Sequence, residues 1–188
     1  MIIERTREVV ELLAPMYLED NSTVCDFTLG NGHDSLFLLK QIKKGFLYGF
    51  DIQEEAIKNS KHLLIEAGLK NFKLILDSHA NVLDYVKEKI DLGIYNLGYL
   101  PGGDKALITK GDSTVKSIES ALKILNPGKA LIITAYKGHK GAMEEYESVM
   151  EYVSLLDQKK YSVMNVNFPN QRNNPPEVIT VGVKCRQQ

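Results

Sequence analysis

The chain has 188 residues, 44% of them hydrophobic and 25% charged, with a formal net charge of -1. That length suits one domain, 1-188, with a sizeable core, and the near-neutral balance gives no global attraction to nucleic acid or membrane. The opening "MIIERTREVVELL" carries charges throughout, unlike a signal peptide, no stretch is long and apolar enough to span a bilayer, and Cys25 and Cys185 read as reduced thiols, so a cytoplasmic location is expected.

Residues 3–14 are expected to form a leading helix, with Val9, Val10, Leu12 and Leu13 on its apolar side and Pro15 ending it. "STVCDFT" reads as a short buried strand, "DSLFLLKQI" as the helix after a glycine turn, and "FLYGF" as the second strand. The next helix has Ala56, Ile57, Leu63, Leu64 and Ala67 at helical spacing and Gly68 at its end. "FKLIL" is the third strand, "NVLDYV" a short helix or turn, and "DLGIYNL" the fourth strand, which leads into a loop with Pro101, Gly102 and Gly103. From Asp112 a helix presents Val115, Ile118, Leu122 and Leu125 on one face, "NPG" breaks it, and "KALIITAY" is the fifth strand. Residues 143–156 read as a helix with Tyr146, Val149, Met150 and Val153 inward. Two final strands, "YSVMNVNF" and "EVITVGVKC", have no helix between them and should pair antiparallel. The alternation predicts an α/β fold: a mostly parallel seven-stranded sheet with helices on both faces, closed by an antiparallel C-terminal hairpin. Such a hairpin fits a Rossmann-like, class I methyltransferase better than a plain dinucleotide-binding fold.

"DFTLGNGHDS" occupies the turn after the first strand, where an open α/β sheet binds its ligand. Gly30 and Gly32 allow close approach of a ligand to the backbone, but Ser35 stands where a dinucleotide fingerprint wants a third glycine. Asp34 would meet a pyrophosphate with like charge, and Asp26 adds another carboxylate. An acidic loop suits a ligand carrying an ammonium and a sulfonium, as S-adenosylmethionine does; a purely structural glycine turn is the plainer alternative. Asp51 follows Gly30 by about 20 residues, where an acidic side chain accepts ribose hydroxyls in NAD and methyl-donor sites alike, or simply caps a helix. Asp77, Ser78 and His79 close the third strand, where an adenine edge would lie. An NAD-dependent oxidoreductase would account for Gly30, Gly32 and Asp51, but for neither Asp26 nor the closing hairpin. A fold of this type that only binds RNA or protein would have no need of the acidic loop.

The fourth strand ends "NLGYLPGGDK". Asn96 and Tyr99 are spaced as in the Asn-Pro-Pro-Tyr signature of amino-methylating enzymes, with Leu97 and Gly98 in place of the prolines. In that signature the Asn side chain and a following carbonyl accept the N–H groups of the target amine, and the Tyr can stack on the base. "FPNQRNNPP", residues 168–176, exceeds the about two to five residues usual in a hairpin connection. Its Asn170, Gln171, Arg172, Asn173 and Asn174 offer amide edges to bases and one cation to phosphate, or form an exposed polar turn. Lys137, His139 and Lys140 follow the fifth strand, and with Lys105, Lys110 and Arg172 they could form a local basic collar; Arg5 and Arg7 are weaker candidates. No cluster has zinc-ligand spacing, so no metal is expected.

Taken in order, "DFTLGNGHDS", "FDIQ", "NLGYLPGGDK", "YKGHKG" and "FPNQRNNPPEVI" resemble the small bacterial proteins labelled rRNA methylases, the YtqB or MnmM type, over essentially the whole chain. The resemblance implies an S-adenosylmethionine-dependent methyltransferase of tRNA. Its reaction would be methylation of the 5-aminomethyl group of wobble 5-aminomethyl-2-thiouridine in the anticodon, giving the 5-methylaminomethyl form. It further implies that Asp26, Gly30, Asn31, Gly32, His33 and Asp34 border the methionine half of the donor. Asp51 and Gln53 would hold the ribose, and Ser78 and His79 the adenine side. Asn96, with the Gly98–Tyr99 turn, would face the methyl and the incoming amine. An alkylamine is mostly protonated near neutrality, so the site must favour its neutral form or provide an acceptor for the proton; Asp104, His139 and Tyr99 are the candidates. Methylation of rRNA or of a small-molecule amine stays open, as does a homodimer formed through Val9, Leu13 and Tyr17.

Overall fold

The structure, a computed structural model, describes residues 2–98, 111–138 and 141–185. Its elements run Thr6–Leu13 (α1), Thr23–Asp26 (β1), His33–Gln41 (α2), Phe46–Asp51 (β2), Glu54–Glu66 (α3), Phe72–Leu76 (β3) and Val82–Tyr85 (α4). They continue through Ile90–Leu97 (β4), Gly111–Ile124 (α5), Leu125–Ala135 (β5), Ala142–Ser154 (α6), Tyr161–Val166 (β6) and Glu177–Val183 (β7). The seven strands form one sheet in the order β3-β2-β1-β4-β5-β7-β6. β1 to β5 are parallel, and β7 runs antiparallel to both β5 and β6. The expected mixed sheet and closing hairpin are therefore present. Among the described residues no helix is long and apolar enough to cross a membrane.

Strand alternation splits the core in two, because successive side chains point to opposite faces. Cys25, Phe27, Phe50, Tyr95, Leu131 and Ile133 face one layer with Ile118, Val149 and Val153 of α5 and α6. Val24, Leu47, Leu92, Ile94 and Ile132 face the other with Val9 and Val10 of α1, Leu38 and Leu39 of α2 and Leu64 of α3. Phe27, three residues before Gly30, stacks on Tyr95 with ring centroids 4.3 Å apart.

Local departures from the sequence expectations have simple causes. The leading helix begins at Thr6 rather than residue 3, because the Glu8 carboxylate accepts the backbone N–H groups of Glu4 (2.7 Å) and Arg5 (3.2 Å) and caps the first turn. It runs on into a 3₁₀ turn, Ala14–Tyr17, so Pro15 tightens the helix instead of ending the element. Leu12 is 46% exposed and faces solvent, as does Ala67 beyond α3, so neither belongs to the core. Val9 is buried, and Leu13 and Tyr17 are partly buried against the same layer, so these three side chains contribute to the core of this chain. β5 starts at Leu125, four residues before the expected strand: Leu125 pairs with Ile90 and Ala130 with Leu92. The "NPG" segment is looped out between those pairs, with Gly128 at φ +79°.

Strand order reverses between β1 and β4, so a crevice opens there at the carboxyl ends of the strands. Asp26, Asp51 and Asn96 stand at or near the ends of β1, β2 and β4. The register sets Asp26 beside Gly49 and Ile94, which places Asp51 and Asn96 one pleat further out on either side.

Candidate active site

The loop from β1 to α2 is shaped by its glycines and tied down by its neighbours. Gly30 and Gly32 adopt φ +51° and +78°, the left-handed region that a side chain disfavours. At Gly32 a Cβ would also sit 2.8 Å from the Ser60 side chain. Ser60 donates its hydroxyl to the Gly30 carbonyl (2.8 Å), and Asn59 donates its amide to Asn31 Oδ1 (3.3 Å). Asp51 accepts the Gly30 N–H on one carboxylate oxygen and the Gln53 N–H on the other, both at 2.9 Å. Each of those oxygens keeps a lone pair for a ligand hydroxyl.

Ser35 turns out to be the partner of Asp26. Its hydroxyl donates to Asp26 Oδ2 at 2.7 Å, and the Thr28 N–H donates to Oδ1 at 3.2 Å. Both side chains are buried. Burial pushes the Asp26 carboxyl up to about 7, and the charges of Asp34 and Asp51 add to the rise against the two hydrogen bonds. Three carboxylates thus lie within electrostatic reach around one glycine turn. A pyrophosphate would meet repulsion here, whereas a cationic ligand relieves it.

On the β3 side, Asp77 is committed to the protein. It accepts from Tyr85 Oη (2.7 Å), the Ser78 N–H (2.7 Å) and Asn81 Nδ2 (3.1 Å), and the tyrosine bond is the main cause that holds its carboxyl below the usual range. Ser78 Oγ caps the following 3₁₀ turn by accepting the Ala80 N–H at 3.3 Å. His79 is buried edge-on to Tyr95, with centroids 5.9 Å apart, and burial lowers its pKa to about 4, so the ring is neutral at pH 7. Its Nδ1 is buried with no hydrogen-bond partner among the described residues.

On the opposite side Asn96 ends β4. Its backbone N–H donates to Thr28 Oγ1 (2.7 Å), and its side-chain Nδ2 donates to Asp34 Oδ2 (3.4 Å). Burial raises the Asp34 carboxyl, while the Asn96 bond and the Arg7 and His33 charges oppose the rise. Tyr136, just past β5, is 40% exposed; its phenol is raised by burial and by the Asp34 charge. Thr28 and Tyr136 escaped the sequence reading. Tyr136 was detectable only as the last residue of the fifth apolar run, at the same carboxyl-end rim.

The basic and amide candidates divide. Lys137 is not a free cation: its ammonium lies 2.6 Å from Glu177 Oε1, and Tyr146 Oη (2.8 Å) and Asn165 Nδ2 (2.6 Å) donate to Oε2. Burial alone would raise the Glu177 carboxyl, but these bonds outweigh it and hold it below the usual range. Asn170, Arg172, Asn173 and Asn174 are exposed on the β6–β7 loop, with Asn173 and Asn174 at φ +65° and +51°. Gln171 Nε2 donates to the Glu4 carbonyl at 2.8 Å, which holds that loop against the segment carrying Arg5 and Arg7. Arg7 itself pairs with Glu11 at 2.8 Å. Tyr99, Asp104, Lys105, Lys110, His139 and Lys140 lie outside the described residues. Among the described residues no group of three or more His, Cys, Asp or Glu is arranged to hold a metal.

The residues fit S-adenosylmethionine as a bound group: the left-handed glycine turn admits it to the backbone, Asp51 can accept ribose hydroxyls, and the acidic loop matches its cationic centres. Strand order and site together define a class I S-adenosylmethionine-dependent methyltransferase. Residues 47–182 match the family described as "Putative rRNA methylase". The structure of a "putative rRNA-methylase" from Clostridium thermocellum superposes with a TM-score of 0.95 at 32% identity, covering 97% of this chain and all (100%) of that one. A methyltransferase structure from Streptococcus mutans, in complex with SAH, gives a TM-score of 0.89 at 36% identity, covering 96% and 98%. The chloroplastic tRNA (mnm(5)s(2)U34)-methyltransferase of Arabidopsis thaliana is 35% identical over 165 residues, 81% of this chain but only 60% of that protein's length. The chain belongs to this "Putative rRNA methylase" family.

Proposed function

We propose that the protein transfers a methyl group from S-adenosylmethionine to the 5-aminomethyl group of wobble 5-aminomethyl-2-thiouridine in the anticodon region of tRNA. The observation that carries this reading is the corner made by Asn96, Thr28 and Asp34. Asn96 spends a side-chain N–H on Asp34 (3.4 Å) and its backbone N–H on Thr28 (2.7 Å). The amide is thereby oriented, and its carbonyl oxygen is left to accept an N–H from an incoming amine. The likeness to the chloroplastic enzyme, whose name specifies this nucleoside, supports the acceptor.

The donor, when bound, supplies a methyl group already activated on a sulfonium. The protein's part is therefore placement, exclusion of water and management of one proton. In this reading Asp26, Gly30, Asn31, Gly32, His33 and Asp34 border the methionine half. Asp51 and Gln53 hold the ribose, with Ser78 and His79 on the adenine side. Neutral His79 and the apolar layer beneath it keep that side dry. Asn96 aims the nitrogen lone pair at the methyl, and Tyr99 stacks on the base. Asn170, Arg172, Asn173 and Asn174 read the RNA from the β6–β7 loop, with Lys105 and Lys140 contributing charge. Lys137 acts indirectly, through its pair with Glu177 that fixes the end of β5.

The test is the wobble nucleoside of tRNA from a strain lacking this gene, read by mass spectrometry. Accumulation of 5-aminomethyl-2-thiouridine and loss of its methylated form are expected. An unchanged wobble nucleoside, with a methyl missing from rRNA instead, would overturn the acceptor assignment.

A further inference from the structure

We propose that Asp34 is the base that takes the proton from the acceptor amine. This rests on the function proposed above and assigns the one chemical task that Asn96 cannot perform, since an amide orients an N–H but does not accept a proton near neutrality.

Position comes first. Strand order puts β2 and β3, with Asp51 and His79, on one side of the crevice and β4 and β5 on the other. Asp34 projects from the first turn of α2 toward the second side. Its hydrogen-bond partner is Asn96 at the end of β4. The charges that bear on it come from Arg7 and Glu11 of α1 and from neighbouring His33, and its own charge is felt by Tyr136 after β5 and by Asp26 of β1. It therefore shares the corner in which Asn96 would hold the amine.

Availability comes second. Asp26 has both oxygens engaged, by Ser35 and Thr28, and Asp51 has both engaged by backbone N–H groups. Asp34 accepts one long bond of 3.4 Å on Oδ2, and Oδ1 accepts none among the described residues. Among the described residues it is the one of the three carboxylates around the turn with an oxygen that accepts no hydrogen bond.

The substrate ammonium gives a proton to Asp34 Oδ1, which turns a charged pair into a neutral amine and a carboxylic acid. Partial burial favours that exchange, because two neutral groups cost less to desolvate than two ions. The freed lone pair forms the nitrogen–carbon bond as the carbon–sulfur bond breaks, and the electron pair of that bond goes to sulfur. The product leaves as a secondary ammonium, and Asp34 returns its proton to water. Net, one proton is released per methyl transferred. Burial also raises the proton affinity of Asp34, so it is a stronger base than an exposed aspartate.

The experiment compares full-length wild type, Asp34→Asn and Asp34→Glu, using tRNA from a strain lacking this gene. Single-turnover methyl transfer is followed from about pH 6 to 10, and SAH affinity is measured by calorimetry. For Asp34→Asn we expect transfer slowed about 100-fold near neutrality, with SAH affinity falling far less than the rate, because Asp26 and Asp51 remain around the turn. That deficit should shrink as pH approaches the amine's own pKa of roughly 10, where solvent removes the proton unaided. Asp34→Glu, which keeps a base, should retain the wild-type shape of the pH profile at reduced rate. A deficit of constant size at every pH, or SAH affinity falling in step with the rate, would overturn the assignment while leaving the proposed function standing. Wild type that binds SAH but leaves this tRNA unlabelled would overturn the proposed function, and the role of Asp34 with it.

Discussion

Asp26 makes the protein carry a buried carboxyl whose folded-state proton affinity is far above its unfolded one, and that has a measurable consequence for stability without donor. Its pKa rises from an ordinary 3.8 to about 7. The folded state thus binds the extra proton between those limits, so Asp26's contribution to stability is complete below pH 3.8 and is lost as pH climbs to about 7. At about 1.4 kcal/mol for each tenfold change in proton affinity, the loss is about 4 kcal/mol, a large part of the total for a domain of this size. Asp26→Asn keeps the shape and removes the charge: its carbonyl oxygen can accept the Thr28 N–H, and its amide N–H can donate to Ser35 Oγ in place of the hydroxyl bond to Oδ2. It should therefore gain stability relative to wild type as pH rises from about 4 to above 7, by a difference on the order of 4 kcal/mol. Urea unfolding of both proteins without donor, at several pH values, measures the difference. A variant that is less stable than wild type by the same margin at every pH would refute the reasoning that burial and the neighbouring carboxylates outweigh the hydrogen bonds to the ionised Asp26.

Three further outcomes are expected. Asn96→Ala should lower turnover by about 100-fold with SAH affinity largely retained, because the lost amide serves the acceptor; parallel loss of both, by calorimetry and single-turnover kinetics, would assign Asn96 to the donor instead. Gly32→Ala forces a side chain into φ +78° and to within 2.8 Å of Ser60. It should cost about 1–3 kcal/mol in a denaturant titration and weaken SAH binding, whereas an unaffected SAH affinity would remove the loop from the donor site. Arg172→Ala should weaken tRNA binding and reduce its salt dependence by about one charge; identical binding across a salt series would take the β6–β7 loop out of RNA recognition.

Much of the sheet could be read from the chain because buried parallel strands appear as short apolar runs, and because glycine and proline mark their ends. The glycine turn was legible for the same reason: turns at strand ends carry glycines and polar residues, so Asp26, Gly30, Gly32 and Asp51 could be placed at the carboxyl-end crevice by position. Ser35 looked like a defect in a nucleotide fingerprint, and only the 2.7 Å bond to Asp26 shows it as the partner that keeps a buried carboxyl satisfied. Contacts between distant residues were out of reach. The ammonium of Lys137 meets Glu177 across 40 residues of chain, which periodicity cannot reveal, and the same holds for the 62 residues between Asp34 and Asn96. Helical spacing also overstated the core: Leu12 and Ala67 fit an apolar stripe but turn to solvent, because the stripe follows the helix while burial ends where the sheet does.

The most direct test of the central claim uses the purified protein, tritiated S-adenosylmethionine and tRNA from a strain lacking this gene, with the product digested to nucleosides. Label in 5-methylaminomethyl-2-thiouridine is the predicted result. Label confined to another nucleoside, or none in tRNA while SAH still binds, would contradict the account and leave a methyltransferase with a different acceptor.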